Sequence, residues 1–244
     1  MAVPRFFVSN KTRYIYLYLL DFLTLSNVKT PEEIESSSFS LAANAFPKAI
    51  HSTTGVSVEY TPTPGKKWFV FRASYGREDI ASDFLIADGT YVYIPKCYKI
   101  YRIAGKNKKV LKSILPNLLF VYSTQKQANE YIKQTPSLSF LSYYYDHTSS
   151  DKRGNNSPLT IPIRDMENFV MATCSKSEHI RLLSQSIQSY KKGDMVKVTD
   201  GAFAGVTGYV RHIMGQQRVV IEITGICTIA TAYIPSAFLE KISL

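Results

Sequence analysis

The sequence predicts an α+β domain followed by a small all-β barrel. In the middle of the chain, aromatic and aliphatic runs that suit strands alternate with segments of helical spacing, in the order β-α-β-β-α-β-α. From residue 191 onward, four short β-like runs are separated by Gly, Asp and Gln. The first pattern predicts helices over an antiparallel sheet, and the second predicts a barrel of about five short strands.

Each element of the middle block has a local signature. Residues 76–87 place Ile80, Phe84 and Leu85 at helical spacing, Thr124 and Gln127 resemble a capping box, and an amphipathic helix follows Pro162. We expect a basic hairpin with its turn near Gly105, and a loop over 146–160. The predicted strands are 67–73, 90–95, 114–122 and 138–145.

Composition and charge restrict the class of protein. The 244 residues are 45% hydrophobic, which suffices for a packed core, and the net charge of +10 favours a polyanionic partner. Residues 66–150 hold thirteen Lys and Arg against six Asp and Glu, a net charge of +7. The three cysteines have neither disulfide-framework nor zinc-site spacing, which fits a reducing compartment.

Residues 1–65 are the least informative part of the chain, and we interpret them as an extension of uncertain order. An apolar run at 14–25 is interrupted by Asp21 and is too short to span a membrane, which needs about 20 residues. It allows a short helix near 12–25, or a segment that docks on a partner. Basic residues precede it as in a signal peptide, but no clear cleavage site follows, so we expect a cytoplasmic protein without membrane contact.

A glycine pattern in the last block has a clear physical logic. Gly201 and Gly205 permit a tight turn with positive φ, Phe203 is apolar, and Gly208 lets the next strand approach closely. This pattern resembles the KOW motif of some ribosomal proteins and of NusG-family transcription factors. The resemblance implies an SH3-like KOW barrel, and the alternative is a generic small barrel.

The middle block also resembles the NusG family. Trp68-Phe69-Val70 is similar to the opening of its amino-terminal (NGN) domain, and Leu115-Pro116-Asn117 is similar to its hallmark strand. The Pro-Asn form, and the segment from Ser157 into the last helix, resemble the specialised RfaH and UpxY-type members. The resemblance implies an NGN domain at 66–175, a linker at 176–190 and a KOW domain at 191–244 in a bacterial protein.

The resemblance also implies that an apolar surface binds the clamp helices of RNA polymerase. Aliphatic residues replace the usual aromatic ones, which retains the hydrophobic driving force but loses ring contacts. The same residues could instead be ordinary strand core. By position, the polymerase-binding residues are Trp68, Ile114, Leu115, Pro116, Leu118 and Phe120.

Two further surfaces are expected to bind partners. The basic hairpin is expected to contact transcription-bubble DNA or nascent RNA, although it could simply be a solvated surface. The KOW domain is expected to bind a partner such as the ribosome through Gly201, Phe203, Gly205, Gly208 and Ile226, and a non-aromatic Ile226 makes Rho recruitment less favoured. The hairpin cations are Lys96, Lys99, Arg102, Lys106, Lys108, Lys109 and Lys112.

We find no residue pattern that predicts catalysis. The four histidines lack metal-ligand spacing, and the cysteines lack a nearby histidine or a second cysteine. We therefore expect no enzyme activity, no cofactor and no metal. The resemblance implies a transcription elongation and antitermination factor of the NusG family, of the specialised kind that serves one long operon. The alternative is a KOW-containing RNA- or ribosome-binding protein that does not contact polymerase.

Overall fold

A computed structural model describes residues 46–103, 105–150, 154, 156–183 and 193–242, without the side chains of 148–150. All of these residues fall within one compact unit. The predicted helix near 12–25 lies outside the described residues. The predicted linker 176–190 is described only as far as Leu183.

A five-stranded antiparallel sheet lies at the centre of the fold. Strand β3 (Lys66–Ala73) pairs with β7 (Leu118–Thr124), and β7 pairs with β4 (Tyr91–Tyr93). The other edge of β3 is shared by β8 (Leu141–Tyr143) and β11 (Thr160–Ile161). This architecture agrees with the predicted helix-covered antiparallel sheet. Because β3 is buried along most of its length, it provides side chains to both faces of the sheet.

Within the described residues, three α-helices accompany this sheet: α1 (Glu78–Ala87), α2 (Gln125–Lys133) and α3 (Ile163–Thr173). Thr124 caps α2, because its side chain accepts a hydrogen bond from Gln127 N (3.2 Å). The Gln127 side chain does not complete the capping box, since it donates instead to Thr90 Oγ1 and Tyr131 OH. Short 3₁₀ helices occupy Ser74–Gly76, Pro136–Leu138 and Ser236–Phe238.

Two sequence-based element predictions are wrong in detail. In α1 the predicted apolar face is misplaced, because Ala81 and Leu85 are buried whereas Ile80 and Phe84 remain 52% and 40% exposed. The small Ala81 side chain suits the close packing of the helix on the sheet. The segment predicted as a loop over 146–160 instead pairs as β9 (Tyr145–Ser150) and β10 (Asn156–Pro158), and continues into β11.

Part of the amino-terminal extension has defined structure. Strands β1 (Ala49–His51) and β2 (Ser57–Glu59) form a two-stranded antiparallel sheet. Thr53 attaches this sheet to α1, because its backbone N donates to Asp83 Oδ1 at 2.6 Å. Of the region predicted to have uncertain order, the described residues 46–65 are therefore integrated with the domain.

A six-stranded antiparallel sheet occupies the carboxyl-terminal part of the chain, and we call it the C-terminal sheet. The predicted runs form β13 (Met195–Val198), β14 (Thr207–Ile213), β15 (Gln216–Ile223) and β16 (Cys227–Tyr233). Strand β17 (Leu239–Lys241) joins β13, and β12 (Arg181–Leu183) joins β16. Residues 181–183, which the sequence places in a linker, are thus a strand of this sheet.

Two hydrophobic clusters hold the described fold together. One lies between the central sheet and the helices α1 and α2, and it contains Phe69, Leu85 and Tyr131. The other lies on the opposite face of the sheet, beneath α3, and continues into the C-terminal sheet. Trp68 and Phe203 belong to this second cluster, so the C-terminal sheet shares a core with the central sheet.

Candidate functional site

The face of the central sheet beneath α3 is an apolar surface. Trp68 and Phe120 are fully buried there. Phe169 of α3 packs on Phe120, with ring centroids 5.6 Å apart. Trp68 and Tyr122 lie directly opposite each other in the β3–β7 pair, so their side chains share one face of the sheet. Their ring centroids are 5.2 Å apart.

Two aromatic residues that precede the sheet extend this surface. Tyr60 lies 5.6 Å from Trp68 between ring centroids, and Phe46 lies 4.6 Å from Tyr60. Trp68 Nε1 donates to the Tyr60 hydroxyl (3.4 Å), which itself donates to Glu167 Oε1 on α3 (3.1 Å). Burial raises the pKa of Tyr60 to about 12, so this hydroxyl remains a donor at neutral pH.

The C-terminal sheet contacts α3 through backbone groups. Asn168 Nδ2 donates to Thr207 O (2.7 Å), and Thr207 N donates to Asn168 Oδ1 (2.8 Å). A Cβ atom built on Gly205 would lie 3.6 Å from Met171 Sδ, which shows how closely this turn approaches α3. The apolar surface is consequently covered by α3 and the C-terminal sheet together.

A tight turn enters β7 beside this surface. Leu118 N donates to Leu115 O (3.2 Å), and Asn117 has φ 66°, so Pro116 and Asn117 are the central residues of a type II turn. The Asn117 side chain also accepts a hydrogen bond from Gly76 N (2.8 Å). Asn is suited to this position because it tolerates positive φ and supplies the acceptor.

Replacing Asn117 separates these two contributions. We expect Asn117→Ala to lower the free energy of unfolding by about 2 kcal/mol, since it adds backbone strain and removes the bond to Gly76 N. Asn117→Gly removes only the bond and should lower it by about 1 kcal/mol. Urea unfolding measures both values, and equal losses in the two variants would contradict a strained turn.

A separate basic surface lies on the hairpin of β5 (Lys96–Ile103) and β6 (Lys106–Ser113). Most of its side chains are exposed, including Tyr101 at 42%. Its base is attached to the segment after α3, because Tyr98 N donates to Lys176 O (3.0 Å). The hairpin therefore presents its cations to solvent at the edge of the fold.

Residues 66–170 match the family described as transcription termination factor nusG. The match supports a NusG-family protein. The matched residues contain the central sheet, the basic hairpin and most of α3, and this part of the fold fits a NusG amino-terminal domain. The family implies a transcription elongation or antitermination factor in general terms, and its members generally bind RNA polymerase. No curated protein matches the chain.

The residues predicted to bind polymerase fall into two groups within the NusG-type domain. Trp68, Ile114, Leu115 and Phe120 are buried in the cluster shared with the C-terminal sheet. Leu118 is half-buried and Pro116 is exposed. The predicted strand from Ile114 is therefore too long at its start. Residues Pro116 and Asn117 form a turn, and strand β7 begins after it, at Leu118. The structure brings the six residues to one region, but four of them are inaccessible in this arrangement.

The glycine pattern adopts the predicted backbone geometry. Gly201 and Gly205 have φ of 80° and 88°, and Phe203 is buried. A Cβ atom on Gly208 would lie 2.4 Å from Val220 O, which confirms the predicted close approach of strands. Ile226 is half-buried in the turn between β15 and β16.

Residues that have no local pattern could not be found from the sequence. Tyr60 and Phe46 lie in a polar segment that is rich in Ser, Thr and Pro, where only their aromatic character gives a signal. Tyr75 was also missed, although it is 93% exposed and has φ 61° beside the Pro116 turn. A positive φ is unusual for a bulky residue, and such strained residues occur often at functional sites, which makes this loop a candidate binding surface.

Neither a metal site nor a reactive thiol is indicated among the described residues. They include no group of three or more His, Cys, Asp or Glu that could hold a metal ion. Burial raises the pKa of the Cys227 thiol to about 12, which keeps it protonated and unreactive at neutral pH. Among the helices of the described chain, none has the length and apolar character needed to cross a membrane.

Proposed function

We propose that this protein is a transcription elongation and antitermination factor that binds RNA polymerase, as a specialised RfaH- or UpxY-type member acting in the bacterial cytoplasm on one long operon. The observation that carries the proposal is the NusG match over residues 66–170, which coincides with the central sheet and its helices. The protein has no catalytic step in this proposal. It acts by holding polymerase in a processive state.

Polymerase would contact the apolar surface beneath and beside α3. The accessible residues of this surface are Pro116 and Leu118, and the buried Ile114 and Leu115 precede them in sequence. Trp68 and Phe120 support this surface from within the core. Because the C-terminal sheet shares that core, full contact requires it to separate from α3. The paired hydrogen bonds between Asn168 and Thr207 oppose that separation.

The remaining surfaces have supporting roles in the proposal. The basic hairpin contacts transcription-bubble DNA or nascent RNA, because its cations and exposed tyrosines suit an unpaired strand. Residues 191–244 act as a KOW domain that binds a second partner, such as the ribosome, through the turn of Gly201, Phe203 and Gly205, with Gly208 and Ile226 beside it. Residues 176–190, of which Arg181–Leu183 form β12 of the C-terminal sheet, join it to an NGN domain at 66–175.

Polymerase binding by the full-length chain tests this proposal. We expect purified polymerase of the host to bind the wild type and to bind Asn168→Asp about tenfold more tightly, because a carboxylate cannot donate to Thr207 O and the covering sheet separates more readily. Asp165→Asn, on an exposed position of the same helix, is the control. Biolayer interferometry measures the affinities, and a single-round transcription assay measures pausing.

Substitution at the accessible turn locates the contact. Pro116→Asp should weaken polymerase binding about tenfold, since it places a charge in an apolar interface, whereas Pro62→Asp should leave binding unchanged. Both prolines are exposed, so both variants should fold. If no variant binds polymerase or alters pausing, the elongation function is wrong. Binding of ribosomes without polymerase would favour the alternative of a KOW-containing RNA- or ribosome-binding protein.

A further inference from the structure

The basic hairpin has two faces of different character. Residues that lie opposite each other in its antiparallel register share a face, and the side chains alternate between faces along each strand. Residues 96–113 contain seven Lys and Arg and no Asp or Glu. Any neutralisation of this charge must therefore come from acidic residues elsewhere in the protein.

The face that includes Tyr98 is partly neutralised by such residues. Lys96 Nζ lies 2.6 Å from Asp79 Oδ1, and Lys109 Nζ lies 3.6 Å from Glu178 Oε2. Lys109 also lies over the Tyr98 ring, 5.0 Å from its centroid. Two of the three cations of this face are thus already held by protein groups, and one of these two, Lys109, also occupies a position over the Tyr98 ring.

Among the described residues, the opposite face, which we call the lysine face, has no such acidic partners. It consists of Lys99, Lys106, Lys108 and Lys112 around the exposed ring of Tyr101, which pairs with Lys108 across the strands. In the described part of the chain, none of these four lysines forms an ion pair with a carboxylate. On β6, Lys106 and Lys108 are about 7 Å apart, because alternate strand residues are separated by two rises, and Lys112 lies about 13 Å beyond Lys108.

We propose that a single-stranded nucleic acid binds along the lysine face, with a base stacked on Tyr101 and phosphates held by the four lysines. The inference rests on the nucleic-acid contact proposed above and restricts it to one side of the hairpin. Unpaired lysines suit a polyanion, and an accessible ring among them suits an unpaired base, which a duplex does not offer. The face that holds Tyr98 is disfavoured because Asp79 and Glu178 repel phosphates.

Matched triple variants of the full-length chain test the choice of face. We expect Lys106→Gln/Lys108→Gln/Lys112→Gln to weaken binding of a labelled 12-nucleotide single strand at least tenfold. The slope of log affinity against log salt should fall by about 2, because a single strand contributes about 0.7 per phosphate contact. The control Lys96→Gln/Arg102→Gln/Lys109→Gln removes the same charge from the other face and should weaken binding less than threefold. Equal losses would overturn the proposal.

Matched tyrosine variants test the stacking. Tyr101→Ala should weaken binding of the single strand about tenfold, whereas Tyr98→Ala should leave it within twofold. Fluorescence anisotropy with DNA and RNA oligonucleotides of one sequence identifies which nucleic acid the lysine face binds. Tighter binding of RNA indicates the nascent transcript, tighter binding of DNA indicates the unpaired strand of the bubble, and equal binding supports the shared chemistry. A duplex that binds as tightly as the single strand, with no effect of Tyr101→Ala, would overturn the proposal.

The same variants separate this inference from the polymerase proposal. The substituted side chains are exposed or half-buried, so circular dichroism should match the wild type. Polymerase binding in the absence of nucleic acid should be unchanged in the lysine-face variant. Failure of the oligonucleotide measurement with intact polymerase binding overturns only the lysine-face inference. Failure of polymerase binding with intact oligonucleotide binding overturns only the polymerase contact.

Discussion

Removal of residues 1–65 should destabilise the protein by about 4 kcal/mol more than removal of residues 1–45. The difference arises because the longer deletion removes Phe46 and Tyr60 from the aromatic cluster around Trp68. Burial of a large apolar side chain contributes about 2 kcal/mol, and aromatic pairs add about 1 kcal/mol. The longer deletion also removes the donor Thr63 N from the Tyr122 hydroxyl (2.8 Å).

Urea unfolding of the two truncated chains measures this difference. Point variants of the full chain separate the contribution of the Tyr60 hydroxyl from that of its ring. Tyr60→Phe removes only the hydroxyl contacts with Trp68 and Glu167. We expect a loss of about 1 kcal/mol for Tyr60→Phe and about 3 kcal/mol for Tyr60→Ala. Identical unfolding midpoints for the two truncated chains would show that residues 46–65 do not support the core.

The second large effect is expected for Gly208→Ala, which should lower the free energy of unfolding by about 3 kcal/mol. A Cβ atom at this position would lie 2.4 Å from Val220 O and 2.7 Å from Val219 Cγ1. Backbone atoms of the paired strand β15 cannot move aside without disturbing the ladder, so the cost is that of overpacking a core.

A glycine in the turn between β14 and β15 provides the control. Gly215 has φ 73° and nothing lies within 4 Å of its ideal Cβ position, so Gly215→Asn should change stability by less than about 0.5 kcal/mol. Thermal unfolding followed by circular dichroism compares the variants. A Gly208→Ala protein as stable as Gly215→Asn would contradict the close packing of β14 on β15.

Local signals predicted those parts of the fold that local physics determines. Val196 and Val198 alternate as a strand and are buried on one side, and Thr124 caps α2 as its sequence context predicts. The turn residue Gly205 has the positive φ that a glycine there suggests. In each case, the relevant partners are close in sequence or follow directly from strand periodicity.

Features that depend on distant partners could not be predicted from the sequence. Asn168 has the character of a polar helix residue, and only the folded chain places Thr207 against its amide. The burial of Leu115 in a cluster shared with the C-terminal sheet has no counterpart in the local pattern. Lys109 and Lys99 look alike in sequence, but only Lys109 forms an ion pair with Glu178. Tertiary contacts therefore decide which predicted site residues are accessible.

The contact between Asn168 and residue 207 places unequal constraints on future sequence change. Because both hydrogen bonds involve the main chain of residue 207, the identity of its side chain is of little consequence to the contact. Only proline, which has no N–H group, removes a donor at that position. Position 168, in contrast, needs a side chain that both donates and accepts at short reach. Residue 207 on the C-terminal sheet can therefore be substituted without loss of this contact, whereas Asn168 on α3 cannot.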